Sequence, residues 1–208
     1  MKLYSWDTPN GQKPMLFLEE VSADYEIVAV DILNGEQDGP AFRGINPNGK
    51  IPALEDRGNT IFESGAILLY LAERFGRFMP EEPAARMDAL SWTFWQVGGL
   101  GPMAGQWGHF SRRDERNPYA EKRYYDEMMR LLDVLEEGLG KDGWLAGGTY
   151  TVADMMGWPW VRGVFDILAA SGDYSADRFT AIKAWCDAIE GRDATQRAVE
   201  KLQRAIQS

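Results

Sequence analysis

Two residue types are almost missing from this 208-residue chain. Cysteine occurs once, at Cys186, and histidine once, at His109. One cysteine excludes an internal disulfide framework, a CxxC redox pair and a cysteine-cluster metal site. One imidazole excludes a multi-histidine metal centre, and a Cys–His nucleophilic pair has only Cys186 and His109 to draw on. Positive charge is short too: 22 Lys+Arg stand against 32 Asp+Glu, a formal net charge of −10. General nucleic-acid binding needs a strong positive field, so no nucleic-acid partner is expected. No stretch approaches the ~18–20 consecutive apolar residues of a membrane span. The early apolar run at residues 15–18 stops at Glu19 and Glu20, which does not make a signal peptide. The expectation is a cytoplasmic protein with no membrane partner, whose chemistry does not use its own thiol or imidazole.

What is there is ordinary globular composition, 45% hydrophobic and 26% charged, in a chain long enough for one large or two small domains. Residues 2–6 form a strand candidate, followed by the turn-rich run Asp7-Thr8-Pro9-Asn10-Gly11. Residues 12–21 carry Met15, Leu16, Leu18 and Val21 on a helical face, and residues 25–31 alternate as a second strand. Residues 34–46 are polar and irregular, with room for one short helix. Residues 51–54 and 60–62 flank a Gly58-Asn59 turn and read as a hairpin, before a helix over 63–75. The order is βαβ, a loop, then ββα. Residues 79–83 contain two prolines and read as a linker. Beyond it every pattern is helical: 84–110 with an interruption at Gly98–Pro102, 118–139, a helix opened by the capping box Thr151-Val152-Ala153-Asp154, 176–190 and 193–207. The expected partition is residues 1–78, linker 79–83, and an all-helical domain over 84–208.

A βαβ–ββα unit with proline at the entry of its third strand suggests a thioredoxin-like fold. A cis Ile51–Pro52 bond there would present the Ile51 peptide to an extended ligand as an added strand would; Pro52 could equally just protect a strand end. Glu63 and Ser64 fall where a strand meets a helix, a place that favours an anionic group. Glu63 suits an ammonium and Ser64 a carboxylate, so the pair could hold an α-amino-acid head group; plain capping by Ser64 is the other reading. Thr8 and Asn10 stand at the start of the first helix, where a thiolate would be stabilised, or where they serve as turn and cap alone. The tryptophans, Cys186 and His109 read as packing residues.

Three runs carry a resemblance: residues 4–13 around Thr8-Pro9-Asn10-Gly11, then Asn46-Pro47-Asn48-Gly49-Lys50-Ile51-Pro52-Ala53, then Phe62-Glu63-Ser64-Gly65. They resemble the glutathione transferases. Gln96-Val97-Gly98-Gly99-Leu100-Gly101-Pro102-Met103 is similar to the bacterial nu class, which groups with the fungal nitrogen-catabolite regulator of glutathione-transferase type. The resemblance spans essentially the whole chain. It implies a thioredoxin-like N-terminal domain, an all-helical C-terminal domain and a homodimer. It further implies glutathione as the bound thiol, two molecules per subunit or glutathione disulfide, with small disulfide or electrophilic substrates. Carried over by position, Glu63 and Ser64 hold the γ-glutamyl head, Ile51 pairs with the cysteinyl unit, and Gln37 and Lys50 meet the glycine end. Thr8 and Asn10 face the sulfur, in place of Tyr4 or Ser5. Arg123 reaches glutathione in the partner subunit, unless it is simply an exposed helix arginine. The expected activity is disulfide reduction by bound glutathione thiols. Conjugation of electrophiles and a non-catalytic glutathione-binding regulator remain the alternatives.

Overall fold

The computed structural model describes residues 1–171 and 178–207, which fall into two compact units, Met1–Met79 with Glu190–Ser208, and Pro80–Ile189. In the first unit the chain runs β1 (Lys2–Ser5), α1 (Pro9–Glu20), β2 (Glu26–Ala29), a 3-10 turn (Glu36–Asp38), α2 (Pro40–Arg43), β3 (Ala53–Asp56), β4 (Asn59–Phe62) and α3 (Ser64–Phe75). The sheet order is β2-β1-β3-β4. β1 lies parallel to β2 with Leu3 opposite Ile27, and antiparallel to β3 with Leu3 opposite Leu54. This is the expected βαβ–ββα thioredoxin-like arrangement.

Strand alternation gives the sheet two buried faces. Leu3 and Leu54 sit fully buried with Met15, Phe17 and Leu18 of α1 and Ile67, Leu68 and Leu71 of α3. On the other face Tyr4, Ile45 and Ile51 pack on Val30, Phe42 and Ala53. α1 is buried almost all round, including Lys13 and Glu19, so its sequence shows only a weak one-sided stripe. The hairpin turn falls one residue earlier than the sequence suggests. Arg57 (φ 50°) and Gly58 (φ 80°) are its two central residues, and Asp56 pairs with Asn59. Two positive φ values are what a two-residue turn between right-twisted strands requires. β3 likewise starts at Ala53, leaving Pro52, which has no N–H to give, outside the ladder.

The linear partition at residues 84–208 differs from the compact units at the C-terminus. α9 (Asp193–Gln207) packs on α1 in the first unit. Ala194, Ala198 and Leu202 form its buried stripe. Arg197 Nε and Lys201 Nζ each lie 3.2 Å from the Glu19 carboxylate, Arg192 pairs with Glu20, and the Lys201 ammonium sits 3.6 Å from the Tyr25 ring centre. Charge complementarity with two acidic residues at the end of α1, together with the stripe, draws the last helix there.

The second unit contains α4 (Pro83–Trp95), α5 (Gly101–Ser111), α6 (Pro118–Leu139), α7 (Val152–Ser171) and α8 (Thr180–Glu190). The Gly98–Pro102 interruption is a π-helical turn over Gln96–Leu100, so helix continues through it. The start of the helix expected over 176–190 lies outside the described residues. Asp154, fully buried, organises this unit. Its carboxylate accepts from Leu145 N (3.1 Å), Thr151 N (2.8 Å), Thr151 Oγ1 (2.9 Å) and Trp185 Nε1 (2.9 Å). Among the described residues no helix is long and apolar enough to cross a membrane.

Candidate functional site

The first strand ends at Ser5, and the chain turns into α1 through Thr8. Thr8 is extended (φ −140°, ψ 160°) and caps the helix, its Oγ1 accepting from Gly11 N at 3.1 Å. A hydroxyl that accepts still has its own hydrogen to donate. Ser5 is fully buried and donates to Gly11 O at 3.0 Å, which commits it to holding the helix against the strand. Only glycine fits at position 11, where a Cβ would lie 2.1 Å from Trp6 O. Tyr4 turns away onto Glu55, donating to Oε2 at 2.7 Å, and burial with that carboxylate pushes its hydroxyl up to about 12. Tyr4 and Ser5 are therefore spoken for structurally.

At the start of α3, Glu63 occupies the cap position with φ 70° and makes no capping bond with its side chain. Left-handed backbone is costly for a residue with a Cβ, on the order of 1–3 kcal/mol. Ser64 is the first helical residue rather than the cap, so ordinary side-chain capping by Ser64 is not what the structure shows. The first-turn N–H groups of an α-helix have no partner within the helix and favour an anion. Behind them lies Lys13, 1% exposed, with Nζ 3.4 Å from Ser64 Oγ. Burial pulls its ammonium down to about 7, against the opposing pull of Glu63.

A third segment closes the cleft. Asn46, 1% exposed, accepts from Asn48 N at 2.9 Å and donates through Nδ2 to Lys50 O at 2.5 Å, which shapes the loop that presents Lys50. Gly49 has φ 62°, and a Cβ there would press on the Arg43 guanidinium at 2.9 Å. The Ile51–Pro52 peptide is cis. Asn10, Asn46, Lys50, Ile51, Pro52, Glu63 and Ser64 together line a cleft of about 60 Å³. Five of the eight sequence candidates thus meet at one cleft, with Thr8 two residues before Asn10. Gln37 is not among the lining residues. It sits in the 3-10 turn beside Gly49, its Nε2 donating to Asp38 at 3.3 Å and its Oε1 buried with no partner among the described residues. Lys13 and Asn46 are the residues that sequence reading missed. The Asn-Pro-Asn-Gly run was the available signal for Asn46, whereas nothing in a polar helix position marks Lys13 as buried.

The donor set fits the head of a small peptide. A carboxylate for an ammonium, a hydroxyl and helix N–H groups for a carboxylate, and an exposed lysine for a second carboxylate share one cleft.

The second unit carries a separate groove of about 1050 Å³ along α5 and α6, lined by Met103, Tyr119, Arg123, Tyr124 and Arg130 among others. Lys122 there is paired with Asp126 and Arg130 with Glu127. Arg123 has no ion pair or side-chain hydrogen bond among the described residues. His109 is exposed, with its Nε2 3.4 Å from Arg113. Cys186 is 7% exposed on the same α8 stripe as Ile182 and Ile189. No group of three or more metal-ligating side chains occurs among the described residues.

Comparison with known proteins places the chain in a family. The glutathione S-transferase N-terminal domain model matches residues 1–73, and the C-terminal domain model matches residues 118–188. The chain is 44% identical over 213 residues to the disulfide-bond oxidoreductase YfcG of Escherichia coli, covering 97% of this chain and 95% of that protein. A glutathione transferase from Burkholderia graminis, with two glutathione molecules bound per subunit, superposes with a TM-score of 0.90 at 36% identity, covering 98% of this chain and 88% of the other. One from Pseudomonas putida, with one glutathione disulfide per subunit, gives 0.88 at 36% identity, covering 96% and 90%.

Proposed function

This chain belongs to the glutathione S-transferase family, and from that premise we propose that it is a glutathione-dependent disulfide-bond oxidoreductase whose reacting thiols belong to bound glutathione. The observation that carries this reading is a cleft that brings the Glu63 carboxylate, the Ser64 hydroxyl and Lys50 together near a capped helix start, in a chain whose one cysteine is buried in another unit. Two reduced glutathione molecules supply the reducing equivalents: the thiolate of one attacks a substrate disulfide and expels one substrate thiolate, the second resolves the mixed disulfide and expels the other, and glutathione disulfide is the product.

The protein's part is placement and charge. Glu63 receives the ammonium, and Ser64 with the α3 N-terminus receives the α-carboxylate. The Ile51 peptide aligns the backbone of the ligand, and Lys50 meets the glycine carboxylate, with Gln37 beside it. The Thr8 hydroxyl and the Asn10 amide donate to the sulfur, favouring its thiolate. The family's bacterial nu class is the subgroup that the Gln96–Met103 run indicates. A homodimer in the cytoplasm fits that assignment, and in it Arg123 serves the partner subunit's site.

Reduction of a small mixed disulfide by glutathione, assayed beside conjugation of an aryl halide, tests the reading. We expect reductase activity to survive Cys186→Ala and to fall in Thr8→Ala and Asn10→Ala. Loss of activity in the Cys186 variant, with its fold intact, would overturn it. A monomer in solution would remove the role given to Arg123.

A further inference from the structure

Lys13 is a buried charge that the reaction as described does not use. It sits 1% exposed in the second turn of α1, and its ammonium reaches Ser64 Oγ at 3.4 Å, on the protein side of the residue that lines the cleft. A fully buried lysine is rare without a compensating role. We propose that Lys13 is a positioning residue for the anionic head of the ligand, an inference that rests on the glutathione-binding reading above. An ammonium can only donate, so Ser64 Oγ accepts from it and the Ser64 hydrogen is turned toward the cleft. That fixes Ser64 as a donor to a carboxylate. The same buried positive charge balances Glu63 on one side and the incoming carboxylate on the other, in surroundings where screening by water is weak.

The consequence is a proton linkage. In the absence of ligand, burial holds Lys13 down at about 7, with Glu63 the charged group that acts against it. Other charges on the elements around α1 are engaged elsewhere. Glu19 and Glu20 pair with Lys201, Arg197 and Arg192 of α9, and Arg74 of α3 pairs with Asp56. On β1, Lys2 faces Glu26 and Tyr4 bonds Glu55. Glu73 of α3 lies nine residues beyond Ser64, about 13 Å along the helix. A carboxylate arriving at Ser64 favours the charged ammonium, so its pKa rises on binding. Binding therefore takes up a proton above neutral pH, and affinity falls as pH rises through about 7.

The probe is S-methylglutathione, which has no thiol to titrate. Calorimetry of its binding to the whole protein, in buffers of different ionisation enthalpy between about pH 6 and about pH 8, reads proton uptake directly, with a slope of at most about tenfold in affinity per pH unit. We expect uptake in the wild type. Lys13→Met should bind at least about tenfold more weakly at the acid end, with no pH slope. Lys13→Arg, charged throughout and retaining His109 and the terminal amine, should bind without the slope. Wild-type binding with no proton uptake overturns the inference, and so does an unchanged slope in Lys13→Arg; both readouts stand even if Lys13→Met fails to fold. No binding of S-methylglutathione to the wild type at any pH overturns the glutathione reading itself.

Discussion

Replacing Thr8 by valine separates two roles that one oxygen performs. The substitution keeps the β-branched shape and removes Oγ1, which accepts from Gly11 N at 3.1 Å and whose hydrogen remains for a sulfur. Loss of the cap costs about 1 kcal/mol of stability. Loss of a hydrogen bond to an ionised group costs about 1.5–3 kcal/mol. At about 1.4 kcal/mol per pKa unit, the second loss raises the thiol of bound glutathione by roughly 1–2 units. Thr8→Ser keeps both functions and serves as the control. Urea unfolding reads the first effect, and the ultraviolet absorbance of the bound thiolate against pH reads the second. If Thr8→Val loses the expected stability while the bound thiol titrates as in the wild type, Thr8 is a helix cap and nothing more.

Three further outcomes follow from the geometry. Asp154→Ala strips four buried donors of their acceptor, and unfolding should show a loss of about 3–5 kcal/mol; a loss under 1 kcal/mol would mean that water replaces the carboxylate. Burial works against the charge of Glu19, but bonds from Tyr25, Lys201 and Arg197 outweigh it and hold its carboxyl below the ordinary range. Its stabilisation is thus present above the unfolded-state value and lost as pH falls through the lower folded value. Glu19→Gln should cost about 1 kcal/mol near neutrality, since Arg197 and Lys201 are about half exposed, and the two denaturation curves should converge in acid. Glu63→Gly relieves the left-handed strain and should leave stability unchanged or raise it by up to about 1 kcal/mol, while binding of glutathione weakens; weaker folding would show that φ 70° at Glu63 is not strained.

Much of this was legible in the residues because local chemistry and tertiary structure agree there. Residues 118–139 carry Met128, Leu131, Leu132 and Leu135 at helical spacing, and α6 has those bounds. Asp154 sits three residues after Thr151, and its carboxylate accepts from Thr151 N as in a capping box, while the Thr151 hydroxyl donates to that same carboxylate. Reading stopped where a residue's environment is set by distant chain. The place of α9 depends on Glu19 and Glu20, some 170 residues earlier. Lys13 is a charged side chain with none of the exposure that usually goes with one, because α1 is enclosed on nearly every side. The turn at Arg57-Gly58 was displaced by one residue since Asn59 tolerates turn geometry as well as Gly58 does. Even so, the Gly98–Pro102 run announced an irregularity, and only the structure makes it a π turn rather than a break.

An acidic protein that takes an anionic peptide must separate its local field from its total one. Charges more than about 8–10 Å apart are largely screened at physiological salt, so the net −10 acts weakly at the cleft. Within reach are Lys50 at the rim, Lys13 behind Ser64, and the positive end of α3, worth about half a charge. Glu63 opposes them, yet it is also the group that receives the ligand's ammonium. With Lys13 charged the cleft is locally positive, and with Lys13 neutral it is close to balanced. The long-range field repels the same ligand, so added salt should speed its encounter while leaving the buried contribution of Lys13 almost untouched. Attraction at the cleft is therefore short-ranged, and a single buried ammonium sets its strength.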